Sequence, residues 1–296
     1  MHDALQAAPP TVRRTVLRLR AAPWTTLAEL ACRAGYLARG AVYLSIGLCA
    51  GLAALRLTPH ARGSIGALEA WAHWPFGVAL VVLAMLGLFG FTGWRVLQAV
   101  FDADRQGRSP KALLSRGGQL VSGLVYGGLA VSLFGLLETF DELREVDEQA
   151  RTRAMVAALL AWPNGGLVVA AAGLFVLAAG IGNLGQAMSP RFGRRLDCDG
   201  ETRRQAGWIG RVGYLARGAA FLPTGAFVLQ AGWHARANEA TGLGGALEAL
   251  AILPFGRAVM AGVGLGLMAF GVYALFEARY RPMDLSPTGF RARSAP

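Results

Sequence analysis

The chain has 296 residues, of which 54% are hydrophobic and only 16% charged, with a formal net charge of +11. A water-soluble domain carries about 25% charged residues, so this composition excludes an ordinary soluble globule. The basic excess is arginine, Lys111 being the single lysine, and it clusters beside apolar runs. Attraction to anionic lipid head groups accounts for that placement, and no nucleic-acid module is present.

In chain order, residues 1–32 read as a cytoplasmic arm. Val12, Val16 and Leu19 share one helical face with arginines on the rest, which leaves two readings, an amphipathic helix on the leaflet or a disordered basic tail. Met1–Pro10 is not basic, so no secretory signal is expected. Six apolar blocks follow: Ala34–Leu57, Phe76–Gln98, Gly117–Leu137, Gly165–Met188, Val212–Gly232 and Phe255–Phe276. Each is long enough to cross a hydrocarbon core of roughly 30 Å at about 1.5 Å per residue. Residues 282–296 read as a flexible cytoplasmic tail.

The blocks belong to a repeat. Arg33-Ala34-Gly35-Tyr36-Leu37-Ala38-Arg39-Gly40 returns as Arg211-Val212-Gly213-Tyr214-Leu215-Ala216-Arg217-Gly218, with a worn copy at Arg116-Gly117-Gly118-Gln119-Leu120-Val121-Ser122-Gly123. Each copy opens a span. A short segment and a Pro-x-Gly step at Pro75, Pro163 and Pro254 then precede the returning span. This divides the chain into repeat 1 (33–104), repeat 2 (105–190) and repeat 3 (191–281). The short segments read as half-helices at the outer interface, with proline starting the next span. The expected fold is an all-α membrane protein of three tandem hairpins. Two spans per unit keep successive units in one orientation, so they are related about the membrane normal. A closed ring and an open arc both satisfy that relation.

The chain resembles a bacterial family of integral membrane proteins known only as a domain of unknown function, built from three tandem two-helix modules. The resemblance rests on the Gly-Tyr-Leu-Ala-Arg-Gly openings at Gly35 and Gly213 and the worn copy at Gly118. It implies a fold and a bacterial plasma membrane, and no activity. The middle unit departs from the pattern at Gln119 and Ser122, so a role needing three equivalent arginines is not expected.

Loop charges orient the spans. With the amino terminus inside, nineteen Lys and Arg fall in cytoplasmic segments and six in outer ones, which predicts both termini in the cytoplasm. Trp71, Trp74, Trp162 and Trp233 fall at the outer boundary, and Trp24, Trp94 and Trp208 at the inner one, as an interfacial belt.

Arg39 and Arg217 sit about 9 Å past the arginines that open their spans. At that depth two readings stand, a buried partner or snorkelling to the head groups. Aligning the returning spans on Pro-x-Gly makes Gln98, Gln186 and Glu277 equivalent, with Arg95 and Asn183 one turn earlier. The expectation is an inner polar layer of Arg39, Arg217, Gln98, Gln186, Glu277, Arg95 and Asn183. Tyr36, Tyr43, Tyr126 and Tyr214 are candidate ligand or lipid contacts, with helix packing as the alternative. Gly47/Gly51, Gly123/Gly127 and Gly262/Gly266 have the spacing of close helix contacts, and Pro223 is expected to kink its span.

No catalytic motif, metal-ligand spacing or cofactor fingerprint occurs, so neither enzymatic activity nor a cofactor is expected. The bilayer itself, with anionic lipids at the cytoplasmic face, is the expected partner. A lipid-interacting or scaffold protein is the leading functional reading. A channel or transporter for a small, apolar or amphipathic solute is the alternative, because the mid-membrane positions hold few polar residues.

Overall fold

The protein is described here from a computed structural model, which covers residues 23–72, 75–102, 106–138, 148–189, 192 and 196–282. In chain order its α-helices are α1 (Pro23–Ala54), α2 (Ser64–Ala72), α3 (Gly77–Phe101), α4 (Pro110–Glu138), α5 (Glu148–Leu160), α6 (Gly165–Ala187), α7 (Gly200–Trp233), α8 (Leu243–Ala251) and α9 (Gly256–Tyr280). Six of them, α1, α3, α4, α6, α7 and α9, are long and apolar enough to cross a membrane. They form three tandem two-helix units with pseudo-symmetry, α1/α3, α4/α6 and α7/α9, and pair most closely between units, α3 with α4, α6 with α7 and α9 with α1.

The expected spans all form, and three begin well before their apolar blocks, α4 at Pro110 among them. α1 starts at Pro23, inside the stretch assigned to the arm, because Leu27, Ala28, Leu30 and Ala31 continue the helical run and proline suits a first turn. α7 starts at Gly200, where the side chain of Asp199 accepts from Thr202 N at 2.8 Å. It continues through Pro223 as one helix. The readings of residues 1–22 and 283–296 lie outside the described residues.

α2, α5 and α8 are the short helices that precede each Pro-x-Gly step. The proline is not the first residue of the next span. Each span starts at the glycine, and the residue between is left-handed: Phe76 (φ 66°), Asn164 (φ 62°) and Phe255 (φ 58°). The chain reverses so sharply there that a Cβ on Gly165 would strike the Leu159 carbonyl, and one on Gly256 the Leu250 carbonyl. The turns push Phe76 and Phe255 outward, 86% and 90% exposed, with Trp162 exposed beside the third.

The longest runs of tight contacts follow a seven-residue spacing, and of the expected four-residue pairs Gly123/Gly127 alone has both members against a neighbour, at Arg95 and Thr92 of α3. Gly40 and Gly47 of α1 face Gly271 and Gly264 of α9, and a Cβ built on Gly40 lies 3.0 Å from the Gly271 carbonyl. Gly166, Gly173 and Gly180 of α6 face Gly232, Gly225 and Gly218 of α7 in the same way. Gly51 and Gly262, second and first members of the expected pairs, meet nothing within 4 Å. A heptad keeps one stripe facing an antiparallel neighbour over several turns, whereas a single four-residue pair covers one turn. At the α3–α4 contact the ladder is worn: Thr92 replaces a glycine and donates its hydroxyl to the Gly123 carbonyl at 3.2 Å.

Arginines close the ladders at the end of the molecule that carries the termini. Arg33 Nη1 donates to the Ala278 carbonyl at 2.5 Å, Arg116 Nε to that of Ala99 at 2.8 Å, and Arg211 Nη2 to that of Ser189 at 3.5 Å. The first residues of the repeated motif therefore cap the last turn of the neighbouring helix, where cations are favoured. At the opposite end Arg257 Nε donates to the Ala54 carbonyl at 3.1 Å, closing α1.

Within units, α1 packs on α3 and α7 on α9, with Gly35 pressed on the Phe91 backbone and Gly213 on that of Phe270. The equivalent Gly118 of α4 meets nothing within 4 Å. Among the described residues α4 and α6 do not pack along one another. The six spans thus run in chain order around an axis, and the α4–α6 seam is left apart.

Replacing Gly47 by leucine is expected to lower stability in detergent by about 3 kcal/mol or more, because the added atoms meet α9 backbone that cannot retreat. Gly51→Leu is expected to change it by under about 0.5 kcal/mol. Thermal unfolding followed by size exclusion measures both.

Candidate functional site

The polar layer forms at the level of the repeated arginines. Arg39 reaches from α1 across to α9, where its Nη2 pairs with Glu277 Oε2. The two residues are 1% and 4% exposed, so this is an interior ion pair and not a snorkelling side chain. The second carboxylate oxygen accepts from Arg281 Nη1 at 2.7 Å. Arg95 of α3 donates to Gln98 Oε1 at 3.0 Å.

Aromatic rings fill the space between these charges. The Phe91 ring lies between two guanidiniums, 4.9 Å from Arg39 and 4.8 Å from Arg95. The Phe270 ring lies between Arg39 at 5.1 Å and Arg217 at 4.9 Å. Arg39 and Arg281 also lie 4.9 and 5.5 Å from the Tyr36 ring. Ring quadrupoles contribute about 0.5–2 kcal/mol per cation, more where water is excluded. Trp94 Nε1 donates to Tyr36 Oη at 3.0 Å, and Tyr126 Oη to Tyr43 Oη at 3.4 Å.

Arg217 differs from its repeat partner. Its guanidinium lies over Tyr43 (5.3 Å), Phe221 (4.7 Å) and Phe270 (4.9 Å). No carboxylate pairs with it among the described residues, and its Nε, like that of Arg39, is buried without an acceptor. The residue is half-buried where Arg39 is fully enclosed.

Arg39, Arg95, Arg217, Gln98 and Glu277 thus surround one aromatic cluster. Gln186 does not join them. It is exposed, because the position that buries Gln98 and Glu277 against a neighbouring span faces the open α4–α6 seam on α6. Asn183 is buried on α6. Tyr36, Tyr43, Tyr126 and Tyr214 are all buried between helices, which leaves them no lipid-facing surface. Trp94 is likewise interior and not part of an interfacial belt. Arg281 and the core aromatics Phe91, Phe270 and Tyr273 were not singled out in the sequence. Phe91 and Phe270 occupy equivalent positions after Pro-x-Gly, and that signal was readable.

At the opposite end a cavity of about 580 Å³ lies among the short helices, lined by His60, Glu69, Glu148, Arg153 and Glu248 among others. Glu148 accepts from Gly63 N at 2.8 Å, so an α5 side chain caps α2 of the first unit. Burial pushes its carboxyl up, against the lowering effect of the backbone N–H groups of Gly63, Gly66 and Ile65. Glu248 accepts from Ala61 N at 3.1 Å. At the termini end a second cleft of about 290 Å³ is lined by Phe192, Gly200, Arg203, Arg204, Gly207, Trp208 and Arg211.

With this arrangement established, comparison with known proteins adds a family. The family described as Domain of Unknown Function (DUF1206) matches residues 34–102 and 212–281, the first and third hairpins. Those two stretches are similar to that family's model. Between them lies the worn unit with the open seam, and together the three form a bacterial multi-pass plasma-membrane protein. The chain is 28% identical over 255 residues to an uncharacterised protein of Bacillus subtilis, YxxB, covering 85% of this chain and 90% of that one. No solved structure matches it.

Two predictions follow from the polar layer and the Glu148 cap. Glu277→Ala is expected to cost about 3–5 kcal/mol, since it strands two buried guanidiniums. Arg39→Ala added to it should cost less than the sum of the singles, a coupling read from a double-mutant cycle of thermal unfolding. Glu148 binds its proton more tightly folded than unfolded, so its contribution to stability is held below the ordinary carboxylate range, about pH 4, and falls as pH rises through that range. The difference in melting temperature, wild type minus Glu148→Gln, is expected to decrease as pH is raised from about 4 to about 7.

Proposed function

We propose that this protein is a non-catalytic, lipid-interacting membrane protein and not an axial conduit. The carrying observation is the filled axis. Leu68 and Leu247 of the short helices, Leu88, Leu133 and Leu267 of the spans, and the Tyr36–Phe91–Trp94 group are all fully or almost fully buried. Beneath them the Arg39–Glu277 pair occupies the polar layer. An ion would have to displace rings and break that pair with no polar lining to replace its hydration.

The basic loops supply the lipid contact. The arginine count favours a cytoplasmic termini end, facing the leaflet that carries anionic lipid. There Arg203, Arg204 and Arg211 gather around exposed Trp208, a pairing of cation and indole suited to a phosphate at the head-group level. The α4–α6 seam favours a second reading, lateral movement of an apolar or amphipathic solute.

Reconstituted vesicles test the proposal. Potassium and small-anion flux are expected to match protein-free vesicles. Phosphatidylglycerol, and not phosphatidylcholine, is expected to raise the unfolding temperature, and Arg203→Ala with Arg204→Ala should remove about 1 kcal/mol per charge of that effect. Conductance above the protein-free level would overturn the reading.

A further inference from the structure

We infer that the α4–α6 seam is a binding site for a long-chain carboxylate, its head on Arg217 and its single tail lying between the two helices. This deepens the lipid-interacting reading and rests on it. Three observations converge on the seam.

The first is charge. Arg39, Arg95 and Arg281 share one carboxylate, Glu277, and Arg217 interacts electrostatically with Arg39 without a carboxylate of its own. Ring faces offset part of the cost of such cations, but a guanidinium at membrane depth is stabilised far more by an anion that takes its donors. Arg217 Nε is buried and lacks an acceptor, and the residue is part-buried where Arg39 is sealed. Among the described residues the spans are packed in sequence except between α4 and α6, and Tyr126 of α4 is among the groups that act electrostatically on Arg217, which puts the guanidinium on the side of the seam.

The second is volume. On α3 and α9 the positions that fill the interior hold Phe91 and Trp94, and Phe270 and Tyr273. The equivalent α6 positions are Ala179 and Gly182. Gly118 and Gly182 both face open space. The missing rings leave this face of α6 without the side chains that fill the interior beside α3 and α9, and an alkyl chain supplies the apolar volume they would have filled.

The third is depth. Arg211 sits at the termini end, bonded to the Ser189 carbonyl, and Arg217 lies six residues, about 9 Å, further into the membrane. A phospholipid phosphate resides near the level of Arg211 and Trp208. A planar carboxylate without a glycerol backbone reaches the deeper guanidinium and matches its fork. Exposed Gln186 borders the same seam as a further polar group.

Equilibrium binding of radiolabelled oleate to the full chain in dodecyl maltoside tests this. Saturable binding is expected, weakened roughly tenfold or more by Arg217→Gln, which removes a charge-assisted contact. Gly182→Leu is expected to abolish it while leaving unfolding temperature unchanged or raised, since the added side chain enters open space. Oleyl alcohol, acetate and phosphatidylglycerol are expected not to compete. Competition by acetate would make the site one for soluble carboxylates, and competition by phosphatidylglycerol a phospholipid site. Either result overturns the proposal, as does equal oleate binding by wild type and Gly182→Leu. Should Arg217→Gln fail to fold, Gly182→Leu decides alone. Absence of saturable oleate binding by the wild type, with phosphatidylglycerol stabilisation retained, would sink this inference and leave the broader lipid reading standing.

Discussion

Everything in this molecule follows from the close approach of backbones along the glycine ladders. In hydrocarbon a span gains nothing by hiding apolar side chains from lipid tails, so association must come from contact at short range and from polar groups that have no other partner. Gly40 and Gly47 against Gly271 and Gly264 supply that contact between α1 and α9. Only at that separation does an Arg39 side chain leaving α1 meet Glu277 on α9 with no room for water. The ion pair is a consequence of the ladder, and it then locks the register of the two helices.

The cationic layer is expensive by itself and tolerable in its setting. Each guanidinium lies against at least one ring, and two phenylalanines each serve two arginines. The repeat generates this economy, because a motif that places Tyr and Arg one turn apart on the first helix meets a phenylalanine at a fixed place on the second. Where the middle unit has lost all three, with Gln119, Ser122 and Ala179, the hairpin no longer closes. Two intact units and one degraded unit thus leave, among the described residues, a ring of spans in which α4 and α6 do not pack together.

The number, length and order of the spans were legible from hydropathy, and the hairpin units from the repeated motif. The partner of Arg39 was legible once the returning spans were aligned on Pro-x-Gly. Other features were not. Of the four-residue glycine pairs Gly123/Gly127 lies wholly on a helix contact and the other two do not, because with 40 glycines such pairs also arise by composition, whereas the seven-residue ladder needed the antiparallel partner to be known. Gln186 aligned with Gln98 and Glu277, yet its surroundings depend on whether α4 covers α6, a tertiary fact that no local pattern encodes. Trp94 read as an interfacial residue because only the helix packed against it decides between belt and core. The capping role of Arg33, Arg116 and Arg211 was visible as conservation among the repeats, but not as chemistry until the neighbouring helix ends were in place.

The three left-handed turns place bulky aromatic groups at the rim, Phe76 and Phe255 on two sides and Trp162 on the third. Such groups settle at the boundary between tails and head groups, and rigid short turns hold them at nearly one height. A tripod of floats resists rocking. When the surrounding bilayer thins or thickens, the whole ring is expected to rise or sink along the normal before it leans, and the depth of its α4–α6 seam stays registered to one leaflet.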